Sequence, residues 1–202
     1  MPRCSVIHLV LGALMLLAVA APAARADRCT GVKLKDVGKT ECSLLACEAS
    51  VATTGNASAL SGCEARVKGR FESIFGRAGF CPGNETNCAN IADSCESSVA
   101  AALSDTFPSR CESAKRRAAG HLTSGELDCY ARAAHLNIPV DPSCIMKAQG
   151  KFGAAISKAG SCPDGGSPQD EVENNCVNPV VATTGGVVTD VCPSTTTTTT
   201  LP

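Results

Sequence analysis

Apolar residues recur at Ile145, Ala148, Phe152, Ala155, Ile156 and Ala159. Steps of three and four lay one stripe along a helix and predict an amphipathic helix through this stretch. Its start is marked as well. "VDPSC" places Asp141 as an N-cap and Pro142 at the first helical position, where a missing N–H costs nothing. Alanine-rich "YARAAHL" closes the preceding helix, and "CPDGG" supplies breakers after this one. "SPQDEVENNCVNPVV" restarts with Ser167 as a cap, Pro168 behind it and Asp170 in the first turn. In the first half of the chain, Thr86 stands at the equivalent cap before "NCANIADSCESSVAAAL". No alternating pattern is strong enough to predict a sheet, and only "VVATTGGVVTDVC" reads as a short extended segment.

The cysteines repeat. Cys29, Cys47, Cys63, Cys81 and Cys95 are matched by Cys111, Cys129, Cys144, Cys162 and Cys176, at offsets of 82, 82, 81, 81 and 81. Lys33 matches Lys115, Gly38 matches Gly120, Leu45 matches Leu127, Gly69 matches Gly150 and Phe71 matches Phe152 in the same register. This predicts a tandem duplication. Each unit carries two cysteine pairs spaced eighteen apart. Eighteen residues are ~5 helical turns, so both cysteines of a pair point the same way, ~27 Å apart. Two such helices folded antiparallel would be riveted at both ends. The expected bridges are Cys47–Cys63 and Cys29–Cys81 in the first unit, and Cys129–Cys144 and Cys111–Cys162 in the second. Of the rest, Cys176–Cys192 and Cys42–Cys95 are the expected pairs, which leaves Cys88 free. The expected fold class is all-α: a duplicated, disulfide-riveted αα-hairpin, each copy with a shorter third helix.

The ends set the boundaries. Arg3, the apolar run "SVIHLVLGALMLLAVAA" and the small-residue site "ARA" read as a secretory signal peptide over residues 1–26. The rival reading, a membrane anchor, is opposed by the modest run and by the small, helix-breaking "APAARA" after it. Residues 27–110 then form the first unit and 111–192 the second. Residues 193–202 form a Pro/Thr-rich tail with six threonines, Thr195 to Thr200, which reads as a linker or stalk. Of 202 residues, removing 26 leaves 176; of 14 cysteines, losing Cys4 leaves 13. Export makes the cysteines disulfide staples first, and an odd number leaves one thiol over. There is no Trp and there are five Phe, so the core is thin and the disulfides substitute for it.

The stretch "CESAKRRAAGHLTSGELDCYARAAHLNIPVDPSCIMKAQGKFGAAISKAGSCPDGG" resembles a group of uncharacterised secreted, cysteine-containing, Ala/Lys-rich helical repeat proteins of environmental Gram-negative bacteria. The matching residues include Lys115, Gly120, Cys129, Val140, Asp141, Pro142, Cys144, Lys147, Lys151, Phe152, Lys158 and Cys162. Threonine-run linkers ending in Leu-Pro accompany that group too. The resemblance covers 111–176 well and 29–95 less, and it implies export and a helical fold, not an activity. This chain has fewer lysines and more cysteines than the group's pattern.

The chemistry is sparse. No Cys-x-x-Cys occurs, so zinc-ribbon, thioredoxin-like and c-type haem readings fail, and no metal or cofactor is expected. Beyond the signal peptide only His121 and His135 remain, without counterparts in the first unit. No nucleophile elbow, zincin, P-loop or dinucleotide motif is present. Arg66, Arg70 and Arg77 match Lys147, Lys151 and Lys158, a repeated basic stripe that reads either as an anion-binding face or as a solvated one. The mature chain carries 16 basic and 19 acidic residues once Arg3 and Arg25 are removed, a balance that points away from nucleic acid. The expected function is a non-catalytic, exported scaffold, spacer or binding module in the periplasm, at the cell surface or secreted. Its expected partner is a cell-surface or extracellular component. The alternative is a secreted hydrolase that uses His121 or His135.

Overall fold

The computed structural model describes residues 21–79, 81, 83–103, 109–160 and 168–193, with backbone only for 21–27. These residues form helices α1 (Ala21–Thr54), α2 (Leu60–Arg77), α3 (Glu85–Ala102), α4 (Arg110–Leu136) and α5 (Pro142–Ala159). A single turn, α6 (Gln169–Glu171), widens into a π-helical stretch (Val172–Val177). A hairpin of β1 (Val181–Thr184) and β2 (Val187–Val191) follows. The fold is therefore all-α and disulfide-rich, with one small antiparallel pair. No described helix is long and apolar enough to cross a membrane.

Local chemistry sets the helix ends. Asp141 accepts from the Ser143 amide at 2.9 Å with Pro142 in the first turn, and Ser109 accepts from the Glu112 amide at 3.1 Å. The cap of α3 is Asn84, which accepts from the Asn87 amide at 2.9 Å, and not Thr86, which lies inside the first turn. Asparagine and aspartate cap better than threonine, so the helix starts two residues earlier. Ser167 lies outside the described residues. α4 stops at Asn137, whose left-handed backbone (φ 51°) ends the α-helical hydrogen bonding. At the other end, the backbone is helical from Ala21 onward, so "APAARA" does not break the helix; alanine favours it.

The broadest contact in the molecule joins α1 to α4. The two run antiparallel: Gly31 meets Ala131, Gly38 meets Ser124 and Leu127, Cys42 meets Gly120, Glu48 pairs with Arg116, and Thr53 donates to Ser113 at 2.7 Å. A Cβ on Gly120 would stand 3.1 Å from the Cys42 Cα and 3.2 Å from its carbonyl oxygen. A Cβ on Gly38 would stand 3.1 Å from the Leu127 Cβ and 3.3 Å from the Ser124 Cα. Gly38 and Gly120 match in the cysteine register, and so do Cys42 and Ser124, and Leu45 and Leu127. The crossing is thus built from corresponding residues on both sides.

α2 folds back on α1, and α5 on α4. Cys47 is bonded to Cys63, Cys29 to Cys81 and Cys129 to Cys144, with Cα–Cα distances of 5.8, 5.8 and 5.9 Å. Cys111 is disulfide-bonded, and its expected partner Cys162 lies outside the described residues. Phe71, Phe75 and Phe152 turn inward from α2 and α5. Lys33 is buried beneath the end of α2, where it donates to the carbonyls of Cys81 (2.9 Å) and Gly83 (3.3 Å) and lies 4.6 Å from the Phe75 ring centre.

The remaining cysteines pair otherwise than the spacing suggests. Cys95 is bonded to Cys176 and Cys88 to Cys192, and Cys42 is the free thiol among the described residues. The expected Cys176–Cys192 and Cys42–Cys95 pairs do not form, because the third elements pack against each other. The π-helical stretch lies on α3, bringing the Cys95 and Cys176 Cα atoms to 4.7 Å. The extended segment is a hairpin whose turn residues Gly185 and Gly186 have φ of 59° and 81°, as a tight two-residue turn requires. It carries Cys192 back to the start of α3, where Asn87 Nδ2 donates to the Cys192 carbonyl at 3.0 Å. Cys42 points across the α1–α4 seam instead, towards His121. The third element of the second half is short, one α-turn that runs into a π-helical stretch.

Gly120→Leu is expected to destabilise the protein by about 1–3 kcal/mol, since backbone rather than a movable side chain fills the space. Gly150 faces open space, so Gly150→Ala should be neutral or stabilise by up to about 1 kcal/mol. Denaturant unfolding of both variants measures the contrast.

Candidate functional site

Two grooves flank the α1–α4 seam. The first, about 640 Å³, lies between α1 and α2 and is lined by Lys35, Asp36, Lys39, Arg66, Arg70 and Phe71 among others. The second, about 650 Å³, lies between α4 and α5 and is lined by His121, Arg132, Asp141, Lys147, Lys151 and Phe152 among others. The linings correspond through the cysteine register: Arg66 with Lys147, Arg70 with Lys151, Phe71 with Phe152, Lys39 with His121. The grooves adjoin at the seam. Lys35 of the first pairs with Asp128 of the second at 3.3 Å, and Cys42 Sγ of the first lies 3.9 Å from His121 Nδ1 of the second.

The six basic residues of the sequence stripe thus divide. Arg66, Arg70, Lys147 and Lys151 are exposed on the groove walls, with no carboxylate at ion-pair distance among the described residues. Arg77 and Lys158 line neither groove; each sits in the last turn of its helix, where a cation complements the unsatisfied carbonyls. Arg77 also donates to the Ser73 carbonyl at 3.0 Å, which holds it to its own helix. Sequence spacing alone could not separate these roles. Lys35, Lys39 and Arg132, which the stripe omitted, come from the opposing helices and enter only once the helices pack.

His121 and His135 are both exposed on α4, fourteen residues apart. Only His121 lines a groove. Its neighbour Cys42 is half-buried, and burial pushes its thiol up, away from the reactive thiolate. Cys42 occupies the register position of Ser124.

Charges are buried around the seam. Glu41 is fully buried, neither of its carboxylate oxygens has a hydrogen-bond partner, and burial raises its pKa well above the ordinary range. Burial also lifts Asp36 to about 6, against the opposing pull of Lys39 and Arg70. Arg116 is buried between Glu48 and Glu112 and pairs with both.

A second cluster lies where α1, α2 and α3 meet. Glu48, Glu64 and Glu96 each place a carboxylate oxygen within 4.8 Å of the other two. Each follows a bridged cysteine: Cys47, Cys63 and Cys95. Glu96 is 8 % exposed, and its Oε1 has no hydrogen-bond partner. Burial first, then the charges of Glu64 and Glu48, push its pKa up to about 7. Alongside, Lys68 pairs with Asp93 at 2.9 Å. Three of the chain's four Cys-Glu dipeptides were the available sequence signal for this cluster, and the disulfide reading passed over them because glutamates at 48, 64 and 96 form no motif.

No known protein family, curated protein or solved structure matches the chain.

The raised carboxyl groups fix a pH dependence. Asp36, Glu41 and Glu96 hold protons more tightly folded than unfolded, so their contribution is fully present below the unfolded pKa and is lost as pH rises through the folded one. The melting temperature should therefore fall between about pH 4.5 and about pH 7. Glu41→Met should raise stability at neutral pH by about 1–3 kcal/mol and flatten the slope. Thermal melts across that range test both, and a melting temperature rising with pH would contradict them.

Proposed function

We propose that the mature chain, exported after loss of residues 1–26, is a non-catalytic binding module. Its two adjoining basic grooves hold one acidic polysaccharide. The observation that supports this reading is the correspondence of the grooves: the same wall positions of α2 and α5 carry Arg66 and Arg70, and Lys147 and Lys151, none of which stands at ion-pair distance from a carboxylate among the described residues. Phe71 and Phe152 supply an apolar floor at matching positions. A linear polyanion crossing the seam would meet both cationic walls in turn, so each groove adds effective concentration to the other. The module works outside the reducing cytosol, in keeping with its disulfides. The 81–82-residue register is read as a duplication in which both copies kept the groove.

Catalysis by His121 or His135 is not part of this reading. The first half carries no histidine at the matching positions, Lys39 and Thr53, and burial pushes the thiol beside His121 up, away from the thiolate. The test is binding of polygalacturonate, measured by titration calorimetry at low salt. Arg70→Glu combined with Lys151→Glu should weaken it about tenfold or more, and added salt should do the same. Arg77→Glu should leave it unchanged. Absence of binding, or equal binding by the double variant, would contradict the proposal. Shortening of the polymer that His121→Gln abolishes would replace it with the hydrolase reading.

A further inference from the structure

The carboxylate cluster at the junction of α1, α2 and α3 has no role in the grooves, since none of its three glutamates lines either one. It is also not needed to build such a junction. In the cysteine register Glu48 corresponds to Tyr130, Glu64 to Ile145 and Glu96 to Val177. Val177 is buried and Tyr130 packs against the core, so the second half fills the same positions with apolar side chains. The first half instead gathers three acids from three helices and buries one of them with an unpartnered oxygen. Burying a carboxylate without a partner is unfavourable, and like charges at this range repel.

We propose that Glu48, Glu64 and Glu96 form a binding site for a hard divalent cation, best suited to calcium. The donors are all carboxylate oxygens. The nearby sulfurs of Cys47, Cys63 and Cys95 are consumed in disulfides and offer no thiolate to a softer metal. Calcium–oxygen bonds of about 2.3–2.6 Å suit donor oxygens spread over distances of this size, and water completes the shell. The bridges next to each ligand fix the backbone from which the glutamates project, so little order is lost on binding. Arg116, which holds Glu48, and Lys68, which is drawn by Glu64 and Glu96, lower the net charge of the site. The affinity expected is therefore that of extracellular calcium modules, with a dissociation constant of about 0.1–1 mM.

The test uses the mature chain with its disulfides intact, stripped of metal by a chelator. In about 10 mM calcium chloride its melting temperature should rise by about 3–6 °C relative to sodium chloride of equal ionic strength. Glu96→Val and Glu64→Ile place the residues of the second half into the first and should lose that shift; Glu64→Gln, the gentler change, should weaken binding about tenfold. Equilibrium dialysis of the unaltered chain with radiolabelled calcium should give one ion per chain, independent of how any variant folds. No shift and no stoichiometric uptake would overturn the site, as would an equal shift in the variants. Because the grooves are untouched, polygalacturonate binding should survive Glu64→Gln.

Discussion

With alanine, glycine and threonine facing each other along α1 and α4, the two helix backbones approach closely. Gly120 admits the Cys42 backbone and Gly38 admits Ser124, and a Cβ at either place would press its neighbours back by a few tenths of an ångström. That crossing decides what else the chain can do. A close seam buries polar groups such as Glu41, Glu112 and Arg116, so it gains less from apolar burial than an ordinary core. Disulfides offset the deficit. A bridge closing about 15 residues contributes ~3 kcal/mol, and one closing about 100 contributes ~4.7 kcal/mol in the loop-entropy view.

The seam also sets the surface. α2 and α5 each fold back on a seam helix, tethered by Cys47–Cys63 and Cys129–Cys144, and each leaves a groove beside it with basic residues at matching wall positions. Lys33 and Lys115 are equally buried, and Phe71 and Phe152 are equally turned in. What differs between the halves is then informative. Where the second half has Tyr130, Ile145 and Val177, the first has three glutamates, and a fold that tolerates either composition does not account for the acids.

Much of this was legible in the chain. Eighteen-residue spacing placed the hairpins and the bridges Cys47–Cys63, Cys29–Cys81 and Cys129–Cys144, because helical period and disulfide reach are local constraints. The pairing of Cys95 with Cys176 was not legible. A pattern read within each unit treats the units as separate, and nothing local says that their third elements touch. The grooves were half visible: Arg66, Arg70, Lys147 and Lys151 stood out through their repetition, while Lys35, Lys39 and Arg132 joined them only through packing. Asn84 in place of Thr86 is a smaller case, in which two capping residues compete within three positions.

The central claim is that the two halves are one body, joined through their third elements as well as through α1 and α4. Proteolysis without reduction, followed by mass spectrometry of the linked peptides, tests it directly. The account predicts linked peptides containing Cys95 with Cys176 and Cys88 with Cys192, and alkylation of Cys42 without prior reduction. A peptide joining Cys176 to Cys192, or Cys42 to Cys95, would mean that each half closes on itself and would contradict it.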